Sequence, residues 1–472
     1  MIHPKINTDK VFLYACKNGL LDTAKQILDF QPTIDISVND EEAFRQACSN
    51  GQLEIAKWLL QIKPTINISV NNEEAFRYAC FNGRLNIAQW LLQIKPTIDI
   101  SAKNENAFRW SCYRGHLNIA QWLLKVKPTI DISVYNEDAF MMACRNGYLH
   151  VAQWLLEVKP TIDISYNDEE VFRWACKCGH LNVAKWLYKI KPTIGISAYN
   201  EEAFRYSCYH GHLHVAQWLL EIKPTINISA EGAYAFRYAC IHGNLNIAQW
   251  LLQIKPSIVI SACSENMFIR ACSNGRLNIA QWLLEVKPTI DISYNNEEAF
   301  RYACFYGRLN IAQWLLEVKP TIDISSRNED AFRYACFNGR LNIAQWLLEV
   351  KPTINISANN EEAFRETCHN KHLNVAQWFV SLKPDKYKIT LNNDGSIGYQ
   401  IIKLINIVGN KEVPEAEICP ICYTSDCEVI TCCNHSYCKN CISSWLNTTH
   451  STCPTCRNNI TNNEFNKLVL KN

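Results

Sequence analysis

Seven cysteines and one histidine near the end of the chain are spaced as four pairs of metal ligands. The first, third and fourth pairs are Cys419/Cys422, Cys438/Cys441 and Cys453/Cys456. The second pair joins His435 to Cys433 or to its neighbour Cys432, because both choices give an acceptable spacing. Thiolates and imidazoles in four pairs are the ligands that two tetrahedral zinc ions require.

A segment of this length depends on the metal to fold. About 40 residues cannot bury enough apolar surface to be stable alone, whereas a structural zinc site contributes on the order of 10–16 kcal/mol. The alternative is a knot of disulfides. The single histidine among the cysteines and a reducing compartment both weigh against that alternative.

The other cysteines indicate that compartment. Of 23 in the chain, twelve recur every 32 residues, from Cys16 to Cys368. Stacked repeats at helix-packing distance, about 8–10 Å, hold neighbouring thiols too far apart for a disulfide, which needs Cα atoms within about 7 Å. We therefore expect the repeat thiols to be small buried hydrophobes in a reducing environment.

Composition excludes two classes of partner. The 472 residues carry a net charge of +2. This charge is too small to indicate nucleic-acid binding or a polybasic membrane anchor. The first residues lack the apolar core of a signal peptide, and no run approaches the ~20 apolar residues that span a bilayer. We expect an intracellular protein, in the cytoplasm or also the nucleus.

The elements that precede the ligand pairs form a regular array. Phe recurs every 32 residues from Phe12 to Phe364, twelve times, and Pro follows twenty residues after each Phe. Gly follows each Phe by seven residues and Trp by fourteen, in eleven repeats each. Each unit predicts a short helix, a tight turn, a longer helix from about 85 to 94 in the third repeat, and an extended arm. Asn72 is expected to cap the first helix of that repeat.

This pattern resembles the ankyrin repeat, with "AFRYAC" and "NGRLNIAQWLL" as its two helical parts. Tetratricopeptide repeats are the alternative, but they lack a ten-residue arm. The resemblance implies a mostly α-helical solenoid of about twelve repeats over residues 1–385. The Phe-Arg-Tyr-Ala-Cys form, with Trp-Leu-Leu and Lys-Pro-Thr-Ile, resembles the ankyrin families of giant amoebal DNA viruses and implies action inside a host cell.

Constant positions of the repeat are expected to be structural and variable ones to bind. We interpret the Phe and Trp ladders as core, and the lysines at Lys63, Lys95 and equivalent positions as a solvated ridge. The resemblance implies that the residue after each repeat Cys and the tip of the arm face a groove that binds a target protein. The candidate groove residues are Phe81, Tyr113, Tyr135, Tyr199, Tyr209, Phe305, Arg327 and Phe337.

Three segments follow the array. Residues 386–417 form a linker with a possible β-hairpin around "NDGS". Residues 418–458 form the zinc module, and 459–472 a tail.

The zinc module resembles a RING finger rather than a PHD finger, which places its histidine in a different pair. The resemblance selects Cys433 over Cys432 and implies crossed pairs. Zinc 1 is then held by Cys419, Cys422, Cys438 and Cys441, and zinc 2 by Cys433, His435, Cys453 and Cys456.

RING fingers of this kind act as ubiquitin ligases without a covalent intermediate. The resemblance implies that Ile421, Trp445 and Pro454 contact a ubiquitin-charged conjugating enzyme, and that Arg457 is the linchpin that donates hydrogen bonds to both proteins. The chain is then a ligase whose repeats recruit a target. The alternatives are a non-catalytic ankyrin/RING scaffold and a binder that only sequesters a host protein.

The choice between the two adjacent thiols is testable through zinc content. We expect about two zinc ions per purified chain, about one after Cys433→Ser, and about two after Cys432→Ser, because only Cys433 is a ligand. Inductively coupled plasma mass spectrometry measures the ratio. Loss of zinc from Cys432→Ser, with full retention by Cys433→Ser, would reverse the assignment.

Overall fold

The structure, a computed structural model, describes residues 8–258, 265–392, 394–402, 429–430 and 436–437. These residues contain 24 helices, arranged as twelve successive pairs. The first helices of the pairs are α1 (Thr8–Asn18), α3 (Val38–Asn50), α5 (Val70–Phe81), α7 (Ala102–Tyr113), α9 (Val134–Arg145), α11 (Tyr166–Lys177), α13 (Ala198–Tyr209), α15 (Ala230–His242), α17 (Glu265–Ser273), α19 (Tyr294–Phe305), α21 (Ser326–Phe337) and α23 (Ala358–His369). The second helices are α2 (Leu21–Phe30), α4 (Leu53–Ile62), α6 (Leu85–Ile94), α8 (Leu117–Val126), α10 (Leu149–Val158), α12 (Leu181–Ile190), α14 (Leu213–Ile222), α16 (Leu245–Ile254), α18 (Leu277–Val286), α20 (Leu309–Val318), α22 (Leu341–Val350) and α24 (Leu373–Leu382).

The second helices have the predicted bounds. In α6, Ile87, Ala88 and Leu91 are buried, on the spacing of one helical face. The helix ends at Ile94 because Lys95 precedes a proline and leaves the helical region, with φ −135° and ψ 81°. The arm that follows is not extended as predicted. It makes two successive turns, in which the amide of Ile98 donates to Lys95 O and that of Ala102 to Asp99 O.

The core runs along the first helices. The repeat phenylalanines from Phe12 to Phe364 are at most 1% exposed, and the twelve repeat cysteines are buried and not disulfide-bonded. Repeat phenylalanines also contact the Trp of the following repeat: the ring centroids of Phe76 and Trp122 lie 6.2 Å apart. The predicted core role is confirmed for the Phe ladder, whereas most of the repeat tryptophans are half-buried beside it. Burial raises the pKa of the thiols, to about 12 at Cys16, and so keeps them protonated and unreactive.

A left-handed turn precedes the right-handed part of the first helix, and the sequence did not predict it. In ten repeats of the described chain, three consecutive residues have φ between 51° and 65°. In the third repeat these are Asn71, Asn72 and Glu73. Asn72 therefore does not cap the helix, and the prediction for it is wrong. Asn tolerates this region better than other non-glycine residues, but three such residues in a row need external support.

An arginine next to the buried Phe supplies that support. Arg301 donates from Nε to Asn296 O at 2.7 Å and from Nη2 to Asn295 O at 3.0 Å, and so holds two carbonyls of the turn. Its Nη1 lies 3.1 Å from Asp330 Oδ2 in the next repeat. Arg77 and Arg333 make the same two carbonyl bonds. One side chain thus fixes the turn and joins two repeats.

The third residue of the turn bonds to the arm at the end of its own repeat. Glu329 Oε1 accepts the amide hydrogen of Asn355 at 3.1 Å, and Glu41 Oε1 that of Asn67 at 3.2 Å. The lysine before the repeat proline reaches the arm of the preceding repeat: Lys63 Nζ lies 3.3 Å from Asp35 Oδ1. The prediction of a solvated lysine ridge is therefore wrong, because these lysines link neighbouring repeats.

The chain divides into two compact units. One comprises Met1–Ala271 and Asn278–Ile290, and the other Cys272–Leu277 and Asp291–Asn472. In the second unit a hairpin of β1 (Tyr387–Leu391) and β2 (Ile397–Ile401) follows the last helix pair.

The hairpin packs on the final repeat. Tyr387 is fully buried, its ring centroid 4.4 Å from that of Phe364, and its hydroxyl donates to Glu361 Oε2 at 2.7 Å. Tyr387 thus packs against the final Phe, whereas earlier phenylalanines pack against the Trp of the following repeat. Farther along, β3 (Val429–Ile430) pairs antiparallel with β4 (Ser436–Tyr437).

The arginine contacts generate a stability prediction. We expect Arg301→Ala to lower the free energy of unfolding by about 2–3 kcal/mol, because Asn295 O, Asn296 O and the buried Asp330 each lose a charged donor. Urea denaturation followed by circular dichroism measures the loss.

Arg365 is the matched control, at the same position of the last repeat. Its Nε has no hydrogen-bond partner within the described chain. Arg365→Ala is expected to cost less than about 1 kcal/mol. Equal losses from the two variants would show that the arginine does not act through these contacts.

Candidate functional site

The first helices present a second set of side chains beside the predicted ones. The candidate residues on these helices lie five positions after the buried Phe. The residue two positions after the Phe lies on the same helical face as the candidate. That position was overlooked, although its residue types and its spacing could have indicated it. Its aromatic members are Tyr14, Tyr78, Trp110, Trp174, Tyr206, Tyr238, Tyr302 and Tyr334.

Rings of the third and fourth repeats form one group. Phe81 and Tyr113 stack with centroids 6.3 Å apart, and Trp110 meets Phe81 edge-on at 5.1 Å. Arg114 holds its guanidinium 4.8 Å from the Phe81 ring centre. Phe81 and Tyr113 also line a shallow depression of about 310 Å³ with Trp110 and Met142. The structure therefore brings two predicted groove residues into contact.

The fifth to seventh repeats carry cations on half-buried rings. The guanidinium of Arg145 lies 4.0 Å from the Trp174 ring centre, and Lys177 Nζ lies 4.2 Å from the same ring. Lys177 Nζ is also 4.6 Å from the Tyr206 ring centre. A cation at this distance is attracted by the negative face of the ring, worth about 0.5–1 kcal/mol when exposed.

A tyrosine–histidine cluster continues this face. Tyr209 lies 5.4 Å from Tyr238 and 4.1 Å from His242, measured between ring centres. Burial raises the pKa of Tyr234 to about 12. Burial, and then the charge of Lys177, lower the pKa of His210. The histidine is therefore neutral at pH 7, whereas Lys177 beside it carries a positive charge.

The predicted arm-tip residues open the left-handed turns. Tyr135, Tyr199 and Arg327 have φ of 54°, 51° and 53°. Tyr199 is 51% exposed and lines a depression of about 350 Å³ together with Trp174 and Lys177. Turn and helix positions therefore meet on one surface there. A hydrogen bond to Asp168 raises the pKa of the Tyr199 hydroxyl.

Tyr135 and Arg327 mainly contact neighbouring repeats. The Tyr135 hydroxyl accepts from Asn104 Nδ2 at 2.6 Å, and Arg109 covers its ring at 4.7 Å. Arg327 Nη2 donates to Asn295 Oδ1 at 3.0 Å.

The second unit repeats the aromatic pattern on a smaller scale. Phe305 meets Tyr334 edge-on, with ring centroids 5.3 Å apart. Phe337 is 38% exposed on the same helical position of the next repeat. These two predicted residues lie in adjacent repeats.

The predicted zinc site and conjugating-enzyme contacts lie outside the described residues. They are Cys419, Ile421, Cys422, Cys433, His435, Cys438, Cys441, Trp445, Cys453, Pro454, Cys456 and Arg457. In the sequence, Cys433 and His435 fall between β3, which ends at Ile430, and β4 (Ser436–Tyr437).

The described residues offer no other metal or membrane site. Among them, no group of three or more His, Cys, Asp or Glu side chains could hold a metal ion. No described helix has the length and apolar character needed to cross a bilayer.

Comparisons with known proteins identify both parts of the chain. The profile of "Ankyrin repeats (3 copies)" matches residues 12–104, 97–168, 172–261 and 238–328. The profile of the "Ring finger domain" matches residues 417–457, and RING finger domains bind zinc. No curated protein matches the chain.

Solved structures include similar chains. The crystal structure of the human ASB11 ankyrin repeat domain is 18% identical, with a TM-score of 0.33. The match covers 45% of this chain and 97% of that one.

Together the ankyrin matches span about two thirds of the chain, and they coincide with the described helix pairs. A RING finger domain follows them at the C-terminal end. The chain therefore belongs to the ankyrin-repeat family.

Proposed function

We propose that the protein is a RING-type ubiquitin ligase whose ankyrin repeats recruit the target. One observation carries the proposal: a RING finger match with a full set of eight zinc donors follows, on the same chain, an array with exposed aromatic and cationic side chains. Aromatic and arginine side chains are the usual anchors of protein interfaces. The repeats would bind a protein, and the RING finger a conjugating enzyme.

The donor set fits two zinc ions. Seven thiolates and one imidazole suit tetrahedral structural sites, which would hold the fold of a segment too short to be stable alone. Cys419, Cys422, Cys438 and Cys441 would hold one ion, and Cys433, His435, Cys453 and Cys456 the other. In structural sites of this type zinc supplies folding energy rather than a catalytic centre.

The chemistry proposed for the RING finger is positioning. Ile421, Trp445 and Pro454 would form an apolar contact for a ubiquitin-charged conjugating enzyme. Arg457 would donate hydrogen bonds to both that enzyme and ubiquitin, and so hold the thioester ready for attack by a lysine of the target. The amine displaces the thiol of the conjugating enzyme, so no covalent intermediate forms on this chain.

Joining both functions in one chain raises the rate of transfer to the bound target. A target held by the repeats meets the charged enzyme at an effective concentration set by the connection, which reaches the millimolar range for short flexible connections. A scaffold or a sequestering binder would gain nothing from Arg457.

We also propose that the protein acts inside cells, in the cytoplasm or the nucleus, and in a host cell if its origin is viral. The free, buried repeat thiols support a reducing compartment. Immunostaining that places the expressed chain in the secretory pathway would contradict this location.

The ligase proposal predicts ubiquitin chain formation by the purified full chain with at least one enzyme from a panel of conjugating enzymes. We expect Ile421→Ala and Arg457→Ala each to lower the initial rate tenfold or more, because both remove a contact with the charged enzyme. Gel-based assays with labelled ubiquitin measure the rate. Zinc chelation is expected to abolish the activity.

Asn459→Ala, just beyond the RING match, is the control and should retain the full rate. Absence of transfer with every conjugating enzyme would contradict the proposal. An undiminished rate for Arg457→Ala would do the same, and would favour a scaffold if the chain still captured its partner.

A further inference from the structure

Two classes of cationic side chain matter in the first-helix region of the first unit. Three of the six arginines next to a buried Phe form ion pairs: Arg45 with Glu74, Arg109 with Asp138 and Arg173 with Glu202. These pairs join neighbouring repeats, so they are part of the array itself.

The second class has no carboxylate partner. Within the described chain, Arg114, Arg145 and Lys177 contact rings and form no ion pair. Each lies five or six residues after the buried Phe of its repeat, on the face described above. Charged groups without a carboxylate partner are available to a ligand.

Four positions on this surface carry no negative charge in the third to eighth repeats. We define the basic–aromatic face as the positions two, five, six and eight residues after the buried Phe in the third to eighth repeats. Of these 24 positions none is Asp or Glu, and four are Arg or Lys. The four are Arg84, Arg114, Arg145 and Lys177. A chain with a net charge of only +2 thus concentrates positive charge on one face.

The nearest carboxylates are already engaged. The carboxylates that lie two positions before a buried Phe include Asp138 and Glu202, which pair with Arg109 and Arg173. Glu170 accepts hydrogen bonds from Asn167 Nδ2 at 2.7 Å and Trp174 Nε1 at 3.1 Å. An incoming anion would therefore not have to displace a carboxylate from Arg145 or Lys177.

The spacing of the face fits an extended chain. Phe81 and Tyr113 occupy the same position in adjacent repeats, with ring centroids 6.3 Å apart. Two residues of an extended chain advance about 6.6 Å, and alternate side chains point to the same side. Alternate residues of one bound segment would therefore contact Phe81 and Tyr113 in turn.

We propose that the basic–aromatic face binds an extended, acidic segment of a protein, with Glu or Asp at alternate positions. This inference names the class of target in the proposed function and rests on it. Positive charge and aromatic rings also suit single-stranded RNA, but a base needs an open ring face on which to stack. Two cations lie on the Trp174 ring, 4.0 and 4.2 Å from its centre, which favours the acidic segment.

Fluorescence anisotropy with a labelled peptide tests the proposal on the purified full chain. The probe is Glu-Val repeated six times, in 0.15 M salt, compared with Lys-Val repeated six times. We expect the acidic probe alone to bind. The double variant Arg145→Glu/Lys177→Glu should raise its Kd at least tenfold, because two unpaired cations become repulsive charges.

Lys185→Glu/Lys189→Glu is the matched control. It changes the net charge equally in the same region, at exposed positions of α12, and should leave the Kd unchanged. Equal effects of both double variants, or no binding of the acidic probe, would overturn the proposal. So would tighter binding of a labelled twelve-nucleotide RNA.

Binding is read without ubiquitin or a conjugating enzyme, so the two proposals can fail separately. Peptide binding by a chain that transfers no ubiquitin would overturn only the ligase function. Ubiquitin transfer by a chain that ignores the acidic probe would overturn only the acidic target.

Discussion

The left-handed turn that precedes ten of the described first helices is the constraint on which the repeat array depends. It places Asn71 and Asn72 so that their carbonyls both face Arg77, and it turns Glu73 toward the arm of its own repeat. The arginine and the buried Phe then contact the following repeat at separations that stay constant along the chain. An insertion of one residue would break all of these contacts at once, which explains why the period of 32 never changes.

This constraint also determines which side chains are free to bind. Where an arginine lies beside the buried Phe it is used within the array, as at Arg301, which is 2% exposed. One turn along the same helix, Arg145 and Lys177 occupy the variable position and lie on rings rather than on carboxylates. Cations are thus buried in ion pairs at one position and half-buried on rings at another.

Much of the fold could be predicted from the sequence, and the reason is periodicity. The residues equivalent to Phe76 and Cys80 are buried in every repeat. The pattern of residue types alone therefore indicated the helices and the core. The left-handed turn could not be predicted in this way, because Asn72 and Glu73 also suit the start of a right-handed helix. The role of the lysines was missed for a related reason: Lys63 finds its partner, Asp35 of the preceding repeat, only after the repeats stack.

The candidate site was predicted in part. Positions after the repeat cysteine gave Phe81 and Tyr113, which do touch. Their neighbours Trp110 and Trp174 were not predicted, because the prediction covered only the residue after each repeat cysteine and the tip of the arm. The zinc ligands and Arg457 remain predictions, because they lie outside the described residues. They rest on the spacing of the thiol and imidazole side chains in the sequence and on the RING match.

The most direct test of the left-handed turn compares Asn72→Gly with Asn72→Ala in urea denaturation. Asn72 is exposed, and its backbone has φ 58°. Glycine adopts this conformation freely, whereas other L-residues lose about 1–2 kcal/mol there. The account predicts that Asn72→Gly is more stable than Asn72→Ala by roughly 1 kcal/mol. In a right-handed helix alanine is the better residue by roughly 0.5–1 kcal/mol, so an advantage of that sign for Asn72→Ala would contradict the account.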